Sequence, residues 1–374
     1  MRIAILKNEV SYTKGGAERY AANLCRSLAE AGHEVLVLAE KFDSRIHPAL
    51  VHVPVRVDRS TSWSRNLSFH RNCQTALGGL DTDAVFALSR SYPADAFRVS
   101  DPLHRFWMKV RYPGKIHRFL QTLNPRHRAI LGLERGIFNP VMTRMIVTNS
   151  ELSKKLIREY YDYPEDRIHV VYNGVDLDRF SPDPDKETDP SGIVRLLFVG
   201  QDFKRKGLSS VVRALARVRE SGFVCRLRVI GRDDPSPYRR LAAELGVGDH
   251  VTFEGASGSV HQAYRQADLL VFPSLYDPFA NVCLEALACG LPVLTTTTNG
   301  ASEILTEGGD GYVVPGDSDH LSDILAGKIE TFAGLSPSAR SAMASAAAGK
   351  ALSFTLRANA DAVAALLSCQ ENAP

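Results

Sequence analysis

Segments with strand spacing and segments with helix spacing alternate along this chain, stop once, and begin again. No other feature restricts the fold as much. Ile3–Leu6 is an apolar run of strand length. Ala17–Ala31 carries apolar residues at Ala21, Leu24, Leu28 and Ala31, a helical spacing that stops at Gly32. Glu34–Ala39, Val51–Val57 and Ala84–Leu88 read as further strands, and Met145–Thr148 and Ile168–Tyr172 flank a polar helix over Ser150–Tyr161. Ser181–Ser191 (SPDPDKETDPS) has linker chemistry. Beyond it, strands at Val194–Val199, Cys225–Ile230, Val251–Phe253, Leu269–Phe272 and Pro292–Thr295 interleave with helices over Ser209–Glu220, Tyr238–Leu245 and Val282–Cys289. An Ala-rich stretch, Ser341–Leu367, reads as terminal helix. The pattern predicts an α/β fold of two doubly wound domains, each a parallel sheet covered on both faces. Ligands of such sheets bind beyond the carboxyl ends of the strands, so the cleft between the two domains is the expected site.

The 374 residues give each domain enough chain to bury its own core. No run of about eighteen apolar residues occurs, which argues against a helical membrane span, and Arg2–Leu6 is too short for a signal-peptide core. Cys25, Cys73, Cys225, Cys283, Cys289 and Cys369 are scattered without a CxxC pair, which fits free thiols in a reducing compartment. The net charge of +3 conceals an asymmetry: residues 1–150 hold 22 Lys/Arg against 12 Asp/Glu, and residues 151–374 hold 23 against 30. A basic front half calls for an anionic partner, such as phosphorylated lipid, a membrane surface or nucleic acid.

Three motifs carry chemistry. In Pro273–Pro292 (PSLYDPFANVCLEALACGLP), Asp277 lies in a loop after a strand and Glu285 lies in the helix that follows. The helix opens near Pro278–Val282 through Phe279, Ala280 and Asn281, and its free N–H groups can meet phosphate or sugar oxygens. A carboxylate near such a helix start can chelate a diol. Taken alone, the two acids read equally well as a turn residue and a solvated helix charge. In Gly200–Gly207 (GQDFKRKG), Arg205 and Lys206 stand between glycines, which suits a pyrophosphate; a solvated basic turn has the same composition. In Lys14–Arg19 (KGGAER), Gly15 and Gly16 at a helix start would let the backbone approach a phosphate. This is not a dinucleotide fingerprint, because GxGxxG is absent.

Together these segments resemble glycosyltransferase family 4. Pro273-Ser274, Glu285-Ala286, Gly290, Pro292 and Val293 match its signature, as do GGAER, Gly32-His33-Glu34-Val35, Asn173-Gly174-Val175-Asp176, Phe253-Glu254-Gly255, Asn299-Gly300 with Glu303, and Gly311–Asp317. The resemblance implies the GT-B fold, with two Rossmann-like domains facing a cleft, and retaining hexosyl transfer from a nucleotide-sugar. It implies that Arg205 and Lys206 grip the diphosphate, that Asp277 touches the donor sugar, and that Glu285 holds the ribose hydroxyls. Gly16 would meet the donor phosphates, and Gly255 and Ala256 would lie near the base. Two departures stand out: Asp277 replaces the usual Glu, and Gln201 occupies the place of the usual Arg, with Arg205 as its substitute. The Asp-aromatic-Arg-Lys-Gly form is similar to lipopolysaccharide-core hexosyltransferases, which implies UDP-glucose as donor and an inner-core heptose as acceptor.

The acceptor side is expected in residues 1–185, completed by a C-terminal helix at about 352–374, and the donor side in residues 190–350. Between Asp101 and Glu134 no acid occurs, while Arg105, Lys109, Arg111, Lys115, Arg118, Arg126 and Arg128 interleave with Phe106, Trp107, Met108, Tyr112, Ile116, Phe119 and Leu120. Residues 104–128 therefore suit an anionic membrane surface; a helix packing its aromatics inward is the other reading. No nucleic-acid motif accompanies them. Asp101, before Pro102, reads as a helix cap or as a carboxylate that orients an acceptor hydroxyl. Asp81-Thr82-Asp83 and Asp317-Ser318-Asp319 read as structural, and no metal or other cofactor is expected. The expected partners are a nucleotide-sugar and a glycolipid or oligosaccharide, and the expected place is the cytoplasm, peripheral on the inner face of the membrane. The rival functions are a sugar-nucleotide epimerase or hydrolase on the same fold, and a non-catalytic sugar-nucleotide-binding protein.

Overall fold

The computed structural model describes residues 1–13, 15–184 and 192–368. The chain forms two compact units, Met1–Tyr172 with the chain from Leu356 onward, and Asn173–Thr355.

The first unit holds a seven-stranded sheet in the order Val51–Pro54, Glu34–Ala39, Arg2–Leu6, Ala84–Ala87, Ala94–Val99, Thr143–Thr148, Ile168–Val170. Every pairing is parallel, and the central strands are buried on both faces, as parallel sheets require. Helix Gly16–Glu30 lays Ala21, Leu24, Cys25 and Leu28 against Ile3 and Ile5. Helix Leu356–Ser368 joins the same core through Ala360, Val363 and Leu367.

The second unit holds a six-stranded parallel sheet in the order Val251–Gly255, Cys225–Ile230, Val194–Val199, Leu269–Phe272, Val293–Thr296, Gly311–Val314. In both sheets the chain leaves the central strand first to one side and then to the other. The topological switch falls between Arg2–Leu6 and Ala84–Ala87 in one, and between Val194–Val199 and Leu269–Phe272 in the other.

Two expectations are corrected. The terminal stretch is two helices, Pro337–Ala351 and Leu356–Ser368, in different units. They part because Phe354 O accepts from Val175 N at 2.8 Å and Thr355 bridges Val175. The division between units falls at Tyr172/Asn173, ahead of the expected linker, since Arg265 Nε donates to Ser181 O at 2.8 Å and Phe180 meets the ring of Tyr264 within the second unit. Most of that linker (185–191) and Cys369 lie outside the described residues. The other five cysteines are free and buried.

Candidate active site

In the second unit, the two loops that leave the strands at the switch are Gly200–Gly207 and Pro273–Ala280. They are laced together: Leu275 N donates to Arg205 O at 2.9 Å. The lacing needs Gly207, whose φ is +79° and where a Cβ would run into the Pro273 carbonyl oxygen. Phe203 N donates to Asp233 Oδ2 at 2.7 Å and Lys206 N to Asp202 O at 3.0 Å, so the basic turn has one defined course.

This course brings Arg205, Lys206 and Asp277 together. Lys206 Nζ is ion-paired to Asp277 Oδ2 and lies 5.0 Å from the Phe272 ring centroid. Burial lowers the Lys206 pKa, and the Asp277 charge works against that by raising it. Arg205 Nε donates to Asp202 Oδ2 at 2.8 Å, Nη1 donates to Tyr276 O at 2.9 Å, and Nη1 stands 3.9 Å from Asp277 Oδ2. Asp277 is a buried partner of Lys206 as well as a turn residue, and its Oδ1 accepts from Phe279 N at 3.2 Å.

Glu285 lies on helix Asn281–Ala288, half-buried, and accepts from the Tyr264 hydroxyl at 3.0 Å; the reading as a solvated charge does not hold. Burial first, and then the Glu285 charge, push the Tyr264 pKa well up, so this phenol stays a donor. Asn281 Oδ1 accepts from Asn173 Nδ2 at 2.5 Å. Phe279 and Ala280 are buried. Gly255 and Ala256 are exposed at the end of the edge strand, with Gly255 at φ +70°.

Asn299, in the sequence only part of a supporting match, holds the Pro273–Ala280 loop in shape. It is fully buried, its Oδ1 accepts from both Ala280 N and Ala301 N at 3.1 Å, and its Nδ2 donates to Thr295 Oγ1 at 2.9 Å. An Asn-Gly pair directly after a strand was the available signal.

In the first unit, the carboxyl ends of Arg2–Leu6, Ala84–Ala87 and Ala94–Val99 open on a cavity of about 810 Å³. Its walls carry seven cations (Lys7, Lys41, Arg59, Arg65, Arg90, Arg98, Arg126) and four carboxylates (Glu9, Glu18, Asp101, Glu134). Asp101 is exposed on this wall and is not a cap: the next helix, His104–Arg111, is flanked by Leu103. Gly15 and Gly16 are exposed at the start of helix Gly16–Glu30, outside the cavity lining; Lys14 lies outside the described residues.

Residues 14–179 match the family description Glycosyltransferase Family 4, and residues 182–347 match Glycosyl transferases group 1. The chain is a family 4 glycosyltransferase. It is 27% identical over 328 residues to the lipopolysaccharide glucosyltransferase WaaG of Escherichia coli K12, covering 83% of this chain and 85% of that protein. The crystal structure of WaaG, described as a glycosyltransferase involved in lipopolysaccharide biosynthesis, superposes with a TM-score of 0.80 at 25% identity over 98% and 99% of the two chains. Anabaena Alr3699/HepE, solved with UDP-glucose, shares the fold with a TM-score of 0.69 at 19% identity over 99% and 100%. The architecture is that of GT-B enzymes.

In this glycosyltransferase the basic segment forms helices His104–Arg111, Lys115–Gln121 and Pro125–Ile137. The inward-packing reading holds for its flanks. His104 Nε2 and His127 Nδ1 share a hydrogen bond of 2.9 Å beside Trp107, and burial takes the His104 pKa down to about 4. It fails for the middle, where helix Lys115–Gln121 has no buried residue and Ile116 and Phe119 are 79% and 66% exposed. Asp83 Oδ2 accepts from Arg2 N at 2.6 Å, a structural role. Among the described residues no cluster of three or more His, Cys, Asp or Glu is placed to hold a metal, and no helix is long and apolar enough to cross a membrane.

Proposed function

We propose that this glycosyltransferase moves glucose from UDP-glucose, with retention, onto a membrane-associated glycolipid such as the inner-core heptose of lipopolysaccharide. One observation carries that choice of donor and acceptor: the likeness to WaaG, which extends over 83% of the chain. Arg205 and Lys206 supply the charge that the chemistry requires. As the bond from the anomeric carbon to the diphosphate oxygen breaks, its electron pair leaves with UDP, and the two cations neutralise it; preorganised charge of this kind supplies much of the rate enhancement in many enzymes. The acceptor oxygen bonds to the anomeric carbon from the same face, and its proton passes to the departing diphosphate oxygen. Glu285, oriented by the Tyr264 hydroxyl, takes the ribose diol, Asp277 takes the sugar, and Asp101 orients the acceptor hydroxyl. With the diphosphate met by side-chain cations, we infer turnover without a metal ion. The protein works peripherally at an anionic membrane surface through residues 104–128, a reading supported by exposed Ile116, Phe119, Leu120 and Leu123 beside Lys115 and Arg118.

The test is incubation with a panel of UDP- and GDP-sugars and lipid extracts, followed by mass analysis. A lipid heavier by one hexose, formed from UDP-glucose and undiminished by EDTA, is expected. Free hexose or a new sugar nucleotide appearing without acceptor would replace this reading with an epimerase or hydrolase.

A further inference from the structure

The cavity of the first unit is more cationic than a neutral sugar requires. Hydroxyls are met adequately by amides and single carboxylates, whereas a concave wall with an excess of one charge concentrates ligands of the opposite sign. Seven lining cations stand against four lining carboxylates. Lys7 Nζ forms a long ion pair with Glu18 Oε1 at 3.8 Å, and Arg90 Nη2 another with Glu134 Oε1 at 3.8 Å, neither close enough for a hydrogen bond. Glu134 is engaged elsewhere: Oε1 accepts from His104 N and Oε2 from the Tyr161 hydroxyl, each at 2.6 Å. Arg59 Nε donates to Glu40 Oε1 at 2.5 Å, and Arg65 Nη2 stands 3.7 Å from Glu40 Oε2, an ion pair of the same long kind. Arg98 is 2% exposed, its guanidinium held 3.9 Å over the Tyr20 ring. Lys41 and Arg126 stand exposed on the cavity wall.

We infer that the acceptor carries an anionic group, a phosphate or a sugar carboxylate, and that Lys7, Arg90 and Arg98, with Lys41 and Arg126 at the rim, hold it in this cavity. This rests on the acceptor side of the function proposed above and adds the chemical class of the acceptor. Guanidinium and ammonium donors make their strongest hydrogen bonds to such oxygens. A rigid Arg98 contributes at a low entropic cost, since its side chain is already ordered.

The test is calorimetric titration of the full chain with UDP held at saturation, so that the donor diphosphate site is filled. The probes are sn-glycerol 3-phosphate, glucuronate, and neutral glycerol. At least one anionic probe is expected to bind, glycerol is not, and the bound probe distinguishes phosphate from carboxylate. The double variant Lys41→Ser/Arg126→Ser removes two exposed side chains and is expected to weaken that binding roughly tenfold. Three results overturn the inference: neither anion binding once UDP is present, glycerol binding equally well, or unchanged affinity in the double variant. UDP-glucose is titrated separately without UDP. Its failure to bind would count against the proposed function, whereas failure of the anions alone counts only against this inference.

Discussion

The Asp277 carboxylate bears on the charge of Lys206, and the proposed chemistry depends on Lys206 being ionised. An isolated lysine loses its proton near 10.5; here burial lowers that value and the Asp277 carboxylate raises it part of the way back. The sign for activity follows: kcat/KM should fall on an alkaline limb below 10.5, as Lys206 loses its charge. Asp277→Asn removes the supporting charge and should move that limb to lower pH. A limb that stays in place when Asp277 is neutralised would show that another group controls it. For stability the sign runs the other way. Between the lowered pKa and 10.5 the unfolded chain binds more protons than the folded one, so this group's contribution rises with pH across that window. Lys206→Ala should cost on the order of 10²–10³ in kcat, the usual loss when one preorganised charge-stabilising donor is removed, with the melting cooperative as before.

At the scale of elements, what could be read from the chain was what periodicity records. Val194–Val199 and Leu269–Phe272 have the expected bounds because they are buried on both faces and appear as continuous apolar runs. Helix Ser62–Leu77 left no such trace, because it buries only Ser64, Phe69 and Cys73 and is fixed by a Thr61–Ser64 capping box. Strand Ala94–Val99 was not among the expected strands, since Asp95 and Arg98 break its apolar run. The Arg205–Lys206–Asp277 group was legible as residues but not as an ion pair, because the contact joins two loops about seventy residues apart, a pairing only the sheet order creates. Helix Lys115–Gln121 is the reverse case: its basic and aromatic composition was legible, and its lack of any buried residue was not. If this helix meets lipid, replacing Ile116 and Phe119 by Ser should lower co-sedimentation with anionic vesicles strongly, since each buried apolar side chain is worth about 1.5–3 kcal/mol. Activity on a water-soluble acceptor should be unchanged. Equal vesicle binding by the variant would assign these side chains to some other surface.

At the scale of the whole molecule, the first unit is completed by a segment that arrives last in the chain. Helix Leu356–Ser368 places Ala360, Val363 and Leu367 in a core with Ile3, Ile5, Ala21, Cys25 and Leu28. Asn359 ties the helix down, accepting from the Tyr20 hydroxyl at 3.1 Å and donating to Tyr172 O at 2.7 Å. These partners come from both ends of the unit's leading segment, so its core is not closed without the segment through Leu367. Leu367 is 3% exposed, and Leu367→Ala should cost about 2–5 kcal/mol. Against a typical margin of roughly 5–15 kcal/mol, that is enough to bring the first unit's melting forward while leaving the second unit's transition alone. Ending the chain at Thr355 removes the whole helix and should abolish cooperative folding of the first unit, while UDP-glucose binding to the Asn173–Thr355 unit survives in part. Calorimetry of the two variants decides it: a single transition that moves as one in Leu367→Ala would mean that the two units melt together and that the helix stabilises both.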